Sequence, residues 1–462
     1  MFAKFPPLRN FVVRSLPLTR VGIAVTAFAL MVCAGAAWGQ NGAPAMFRLP
    51  HLSEVAQGPF PPGASMPEVL PAGEQMLALA AAEALAAGNY PALQVAQGRL
   101  QAAQGRWLQG GLLPNPVIGY LGNEIGNEGQ AGLQGGYVGQ DIVTGGKLGL
   151  ARAVASREIA AAEQRYVGAR LEAIVAVRKS YFEALAADRT VRLARQLQEM
   201  TTKAVRASEL LLEAGGTGAS LLQSQIENES VGLMEAQAVN RHDAARRRLA
   251  ALIGQQGAIM APLEDRFVQP LPVLDWESSK ARIQAESPQL AEARLAVDRA
   301  RWAVQQAIAG RLPNVNVQAG VQYDNSTEDS VANVQVSLPL PVFDRNQGGI
   351  AAAQGELAAA QGALQQQELA VQQRLIDVLR DYLSARQRVE KYSSTILPAA
   401  QRSLDMMAKA YEAGELDYLQ LLSAQRTFTT TNVAYFEDLK TAWQKWAEID
   451  GLLMETLPDE AE

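Results

Sequence analysis

Very long helices joined to membrane-type β-hairpins, the whole built as two copies of one plan, form the fold that this sequence predicts. Three observations predict it. A glycine-containing turn interrupts a long helical pattern twice, at Leu212 to Gln225 and again at Tyr411 to Gln425, about 200 residues later. Other landmarks recur at the same offset: Leu113-Pro114-Asn115 with Leu312-Pro313-Asn314, and the extended stretch ending at Gln140-Asp141-Ile142 with the one ending at Pro339-Leu340-Pro341. The N-terminus, finally, carries an export signal. Each copy reads helix, strand, polar loop, strand, very long helix, glycine turn, long helix.

That signal is spelled by Lys4, Arg9, Arg14 and Arg20, then the apolar run Val21 to Val32, then small residues through Gly39. The apolar run is far short of the roughly 20 residues that cross a bilayer, so residues 1–39 read as a cleaved signal peptide, cut after Ala36 or Gly39. Bulky Val32 before Cys33 disfavours a lipid anchor. The single cysteine, Cys33, leaves with the signal, and an exported chain without cysteine has no disulfides to stabilise it. Elsewhere no stretch of 18 apolar residues occurs, which excludes membrane helices and leaves a β-barrel open. With 47 acidic against 41 basic side chains, nothing favours a nucleic-acid partner.

Taken in order, residues 40–72 are rich in proline and glycine and read as an extended arm. The first repeat spans 73–254. Glu74 to Gln109 is helical with a break at Gly88-Asn89-Tyr90-Pro91, and Pro114 and Pro116 end it. Val117 to Leu121 and Leu133 to Gln140 read as strands around the polar Gly122 to Gln130. The second repeat, 288–455, has a clearer hairpin. Val315, Val317, Ala319, Val321 and Tyr323 alternate with Asn316, Gln318, Gly320 and Gln322; after a polar turn, Ala332, Val334, Val336 and Leu338 alternate with Asn333, Gln335 and Ser337. Such strands, apolar on one face and neutral polar on the other, have roughly the 9–11 residues a tilted membrane strand needs. An amphipathic hairpin on a soluble core fits that pattern equally well; the export signal and the repeat favour the membrane.

After each hairpin the period becomes helical. Lys147 to Glu213 and Gly348 to Ala413 are each long enough, at 1.5 Å per residue, to reach roughly 100 Å. In the second, Ile350, Leu357, Leu364, Val371 and Val378 recur every seven residues, while Leu375, Tyr382, Val389 and Ile396 form a seam displaced by four; Val167, Ile174 and Tyr181 keep the same spacing in the first. Seams for more than one neighbour suit a closed wall of helices. Returning helices run over Gly218 to Ile253 and Asp417 to Glu455. Between the repeats, 255–287 is proline-rich and charged and reads as a belt across the wall; 456–462 is a tail.

Four strands cannot close a barrel, and the hydrocarbon layer tolerates no open sheet edge, so several chains share one barrel: eight strands from two, or twelve and a wider lumen from three. Wetted strands joined to helices of that length describe a conduit through an outer membrane and far into the periplasm.

Over nearly all its mature length the chain resembles the TolC-like outer-membrane efflux channel family. The likeness rests on the duplicated plan, the two glycine turns and Ser337-Leu338-Pro339-Leu340-Pro341-Val342-Phe343 at the second strand-to-helix junction. It is most similar to the outer-membrane component of cobalt, zinc and cadmium resistance pumps, in Tyr411 to Leu419, Ala434-Tyr435 and Trp443 through Leu453. The resemblance implies a homotrimer with a twelve-stranded barrel in outer-membrane lipid, a helical tunnel and an equatorial belt. It also implies docking, through tips at Gly215, Gly216 and Gly414, to a periplasmic adaptor and an inner-membrane proton-driven pump of the resistance-nodulation-division type. Where related channels carry an acidic ring, this chain has Gln420 and Ser423; the nearby acids Glu415 and Asp417 either draw cations to the mouth or are structural, Asp417 capping the helix that follows and Glu415 facing the periplasm. Asn316, Gln318, Gln322, Asn333, Gln335 and Ser337 are the expected lumen-facing residues of the barrel.

Catalysis finds no support. Gly145-Gly146-Lys147 lacks the first glycine of a phosphate loop, having Asp141 there, and Leu148 replaces its Ser or Thr. Neither His51 nor His242 has a nucleophile or ligand set at the needed spacing. No cofactor or resident metal is expected. Metal cations are the expected cargo; copper or silver, organic drugs, and a non-channel periplasmic scaffold remain alternatives.

Overall fold

The computed structural model describes residues 76–126, 131–213, 218–255, 257, 259, 261–265, 267–413, 415, 416 and 418–453. The expected signal peptide, arm and tail lie outside them, as does His51. The described chain divides into two compact units.

One unit is a four-stranded sheet. Strands β1 (Val117–Asn123), β2 (Leu133–Ile142), β3 (Val315–Asp324) and β4 (Asp329–Ser337) hydrogen-bond in that order. β1 pairs antiparallel with β2, and β3 with β4. Because directly opposed residues share a face, the second hairpin's register sorts its side chains: Val317 opposite Val336, Ala319 opposite Val334 and Val321 opposite Ala332 on one side; Asn316 opposite Ser337, Gln318 opposite Gln335 and Gly320 opposite Asn333 on the other. Apolar side chains of the sheet stand open, Ile118 at 81% and Val334 and Val336 at 65% and 64% exposure. β2 and β3 approach so closely that a Cβ on Gly135 would lie 1.9 Å from the Val321 carbonyl oxygen, a position only glycine fits.

The other unit is helical: α1 (Leu79–Asn89), α2 (Pro91–Gly110), α3 (Lys147–Glu213), α4 (Gly218–Leu252), α5 (Trp276–Glu286), α6 (Pro288–Ala309), α7 (Gln347–Lys391), α8 (Leu397–Glu412) and α9 (Tyr418–Leu453). α2 packs on α3, α3 on α6 and α6 on α7, while α4 and α9 also pack on α3 and α9 on α7. No described helix is long and apolar enough to cross a membrane.

Helix ends follow local chemistry. Extended Tyr90 and Pro91 separate α1 from α2, since proline starts a helix but cannot continue one. α4 closes with the Gln255 amide on the Ala250 carbonyl and the Gly254 amide on Ala251, Gly254 taking φ +78°. Asn89 Nδ2 donates to the Ile253 carbonyl there, tying α1 to the end of α4.

One sequence expectation is corrected. The second long helix is not continuous: Tyr392–Ile396 form a π-helical turn between α7 and α8. Pro398 has no amide to offer the carbonyl four residues back and its ring would strike it, so the turn widens and the Leu397 amide reaches the Tyr392 carbonyl. The displaced seam holds through Leu375, Tyr382 and Val389, all buried, and fails at Ile396, which is 37% exposed within that turn. Within 255–287 lies the short helix α5, which begins because the Asp275 carboxylate accepts the Ser278 amide.

Candidate functional site

Three regions bear on a conduit: the polar strand face, the belt and the helical tip. On the strand face the six predicted lumen residues alternate as expected, but their side chains differ. Asn316 Nδ2 donates to Asp141 Oδ1 at 2.6 Å, adding to that face a carboxylate of β2 that was not singled out in the sequence. Gln322 is only 2% exposed and its amide donates to the Leu121 carbonyl, so it braces the sheet. Asn333, Gln335 and Ser337 stand exposed.

At the belt, backbone groups that no sheet answers are taken by side chains of the wall. Arg246 Nη1 donates to the carbonyls of Ile259 and Ala261, and Tyr181 Oη to those of Leu77 and Glu264. Trp443 Nε1 donates to the Phe267 carbonyl and Tyr382 Oη to that of Pro272. Phe182 stacks on Trp443 at 4.9 Å, and Trp446 meets Trp443 edge-on. Beside them Arg178, 3% exposed, is held between Glu83 of α1 and Asp450 of α9 and lies over the Trp446 ring. Burial disfavours its charge, yet the two carboxylates outweigh that and raise its pKa. His242 accepts from Arg246 Nε at 2.9 Å.

At the tip, Gly215, Gly216, Gly414 and Asp417 lie outside the described residues. Glu415 is exposed, and its amide donates to the Ala410 carbonyl at 2.9 Å. Gln420 and Ser423 are exposed as well. Behind them Ala204, Leu404, Tyr418, Leu421, Leu422 and Ala424 form a small apolar core. Burial, with Glu227 and Tyr411 adding to it, pushes the Tyr418 hydroxyl up to about 12. Arg426 of α9 pairs with Glu227 of α4 at 2.6 Å, and Ser423 and Arg426 share a groove of about 330 Å³ with Gln223, Leu419 and Leu422. This pair was not picked out from the sequence. A signal existed: its members stand 199 residues apart, the same step that separates Leu113 from Leu312 in the sequence.

Among the described residues, no three His, Cys, Asp or Glu side chains are grouped to hold a metal ion. The arrangement offers wetted surfaces, ion pairs and a clamped belt, which suit passage and assembly.

Comparison with known proteins agrees. The cobalt-zinc-cadmium resistance protein CzcC of Cupriavidus metallidurans is 27% identical over 398 residues, covering 85% of this chain and 93% of that one. The alkaline protease secretion protein AprF of Pseudomonas aeruginosa is 28% identical over 313 residues, 63% of this chain and 64% of that one. In structure, the Neisseria gonorrhoeae MtrE outer membrane channel superposes with a TM-score of 0.69 at 18% identity, covering 81% of this chain and 88% of MtrE. The family described as "Outer membrane efflux protein" matches residues 74–255 and 281–453, most of the chain, and the chain belongs to that family of non-enzymatic outer-membrane efflux channels.

Proposed function

We propose that this protein is the outer-membrane exit of a tripartite, proton-driven efflux system and passively conducts divalent heavy-metal cations of the cobalt, zinc, cadmium and nickel type. The observation that carries the cargo assignment is the similarity to a cobalt-zinc-cadmium resistance protein over nearly the whole of both chains. Three chains, exported by the signal through residue 39, complete one twelve-stranded barrel in outer-membrane lipid. The face bearing Asn316, Gln318, Asn333, Gln335 and Ser337 lines its lumen. Neutral amides and hydroxyls wet a pore without selecting an ion, and a conduit that bound its cargo tightly would stall it, so selection resides in the inner-membrane pump of the resistance-nodulation-division type.

In this reading the turns at Gly215, Gly216 and Gly414 meet the periplasmic adaptor, and Glu415 and Asp417, repeated in three copies, draw cations to the mouth. Passage of proteins is the rival reading, supported by the comparable identity to a protease secretion protein over a shorter stretch. Deleting the gene is expected to lower tolerance to at least one of cobalt, zinc, cadmium and nickel. Unchanged tolerance to all four, with a dye or antibiotic accumulating and no second exit channel compensating, would refute the metal cargo and leave the channel standing.

A further inference from the structure

Part-way along α3 and α7 the helix α6 begins, and its first turn opens on the space between them. A Cβ on Gly168 of α3 would lie 3.9 Å from Pro288 Cβ, and Gln367 Nε2 of α7 donates to Gln289 Oε1 at 3.2 Å, so these residues share its level. Both neighbours run antiparallel to α6, since Arg165 pairs with Glu292 and Asn346 Nδ2 donates to the Ala307 carbonyl. They continue past its start, by about 16 Å to Lys179 and about 10 Å to Arg374 at about 1.5 Å per residue. There α9 closes the space: Glu448 pairs with Lys179, and Gly451 comes so near that an added Cβ would strike Val175 Cγ2. The cavity left has a volume of about 260 Å³, with Leu171, Val175 and Leu452 in its walls and Ser287, Lys179 and Arg374 among its polar groups.

Three observations give this cavity a sign. α6 is 22 residues long, and at its start Pro288 has no amide while those of Gln289 and Leu290 meet no carbonyl among the described residues, so the positive end of the helix faces the space. Ser287, just before them, is 3% exposed and lines the cavity, and its hydroxyl finds no hydrogen-bond partner among the described residues. Arg374 is exposed and makes no ion pair among the described residues. Because Cα–Cβ bonds tilt toward a helix's N-terminus, those of Lys179 and Arg374 tilt back toward the first turn of α6. The acids oppose this weakly. Glu448 is answered by Lys179 and, at 3.6 Å, by Lys445, and Glu172 stands exposed to solvent.

We propose that this cavity binds a small organic anion, its carboxylate or phosphate head on the Ser287 hydroxyl, the first amides of α6 and the Arg374 guanidinium, and its apolar body against Leu171, Val175 and Leu452. Free amides and the helix dipole together collect oxyanions, and a planar guanidinium matches either head with paired hydrogen bonds. A cation would meet the wrong end of α6 and find only Glu172 free to receive it. The site does not depend on the cargo assigned above.

Equilibrium dialysis of the full-length protein in nonionic detergent tests it, with inorganic phosphate, n-butyl phosphate, butyrate and n-butylamine as probes in chloride buffer of matched ionic strength. Saturable binding of n-butyl phosphate or butyrate, one per chain, is expected, and the tighter of the two names the head. n-Butyl phosphate should bind several-fold tighter than inorganic phosphate, since buried methylenes add to the head, and n-butylamine should not bind. Arg374→Gln changes an exposed side chain without an ion pair, so the thermal melt in chloride stays that of the parent while anion affinity falls about tenfold or more. Glu172→Gln removes a like charge and should tighten the anions. No saturable anion binding by the parent protein, anion binding that Arg374→Gln leaves unchanged, or n-butylamine binding that Glu172→Gln abolishes would each overturn the site.

Discussion

At the belt and at the tip the same helices are held together by different means. Around the belt, hydroxyl, indole and guanidinium groups of Tyr181, Tyr382, Trp443 and Arg246 are spent on belt carbonyls, and Arg178 sits between two carboxylates. At the tip the apolar core is small, and Ser208 Oγ, the Tyr411 hydroxyl and Gln425 Oε1 are buried without a hydrogen-bond partner among the described residues, as are Ser180 Oγ and Arg189 Nε beside the belt. Satisfied polar networks rigidify a core, whereas unsatisfied groups lower the cost of leaving an arrangement. The difference lies in the means: side chains of the wall clamp backbone carbonyls at the belt into a girdle, whereas a small apolar core and the Glu227–Arg426 pair hold the tip.

The strongest way to break this comparison is at Arg178. Replacing it with methionine leaves Glu83 and Asp450 without their shared cation in a buried site, a loss of about 3–5 kcal/mol. Thermal melting of the solubilised protein is expected to fall steeply, and adding Glu83→Gln with Asp450→Asn to recover much of it. A melt unchanged by Arg178→Met would mean that the girdle is not fixed there.

Tyr181→Phe is gentler and sharper. It removes one hydroxyl that donates to two carbonyls, on Leu77 and on Glu264, where the chain before α1 bridges to the belt. Two buried acceptors lose a donor at a cost of about 1–3 kcal/mol. Hydrogen exchange should quicken at the amides of Leu77 and Glu264, which bond to the Pro262 and Leu77 carbonyls, while the tip is unaffected. Equal quickening in both regions would show that the two are one cooperative unit.

The fold was legible where a period carried it. The strict alternation of β3 and β4 and the seven-residue seams of α7 are written in neighbouring residues, so pattern alone places them. The girdle was not, because its partners are remote: Arg178 meets Glu83 across 95 residues and Asp450 across 272, and nothing local to Arg178 marks it as buried. Pro398 was visible as the lone proline in its helix, yet spacing does not say whether a proline bends, ends or widens a helix; the π turn at Tyr392–Ile396 answers that only in three dimensions. Of the tip, Glu415, Gln420 and Ser423 could be picked from the sequence, whereas the Glu227 and Arg426 pair required superposing the repeats.

The smallest expected effect lies at Ser208, and it bears most directly on what the tip is for. Its side chain is fully buried in the last turns of α3, and its hydroxyl finds no acceptor among the described residues. Removing a hydroxyl that is already unsatisfied gives up no hydrogen bond and relieves its desolvation, so Ser208→Ala should leave the melt unchanged or raise stability by about 1 kcal/mol. The equivalent deletion at the girdle, Tyr181→Phe, moves the melt the other way, and the opposite signs are what separate the two regions. A loss of more than about 1 kcal/mol at Ser208 would show that its hydroxyl is bonded and that the tip is as well satisfied as the belt. A gain accompanied by slower export would tie the tip's imperfect packing to opening, since a stabilised closed arrangement lowers the share of chains able to open.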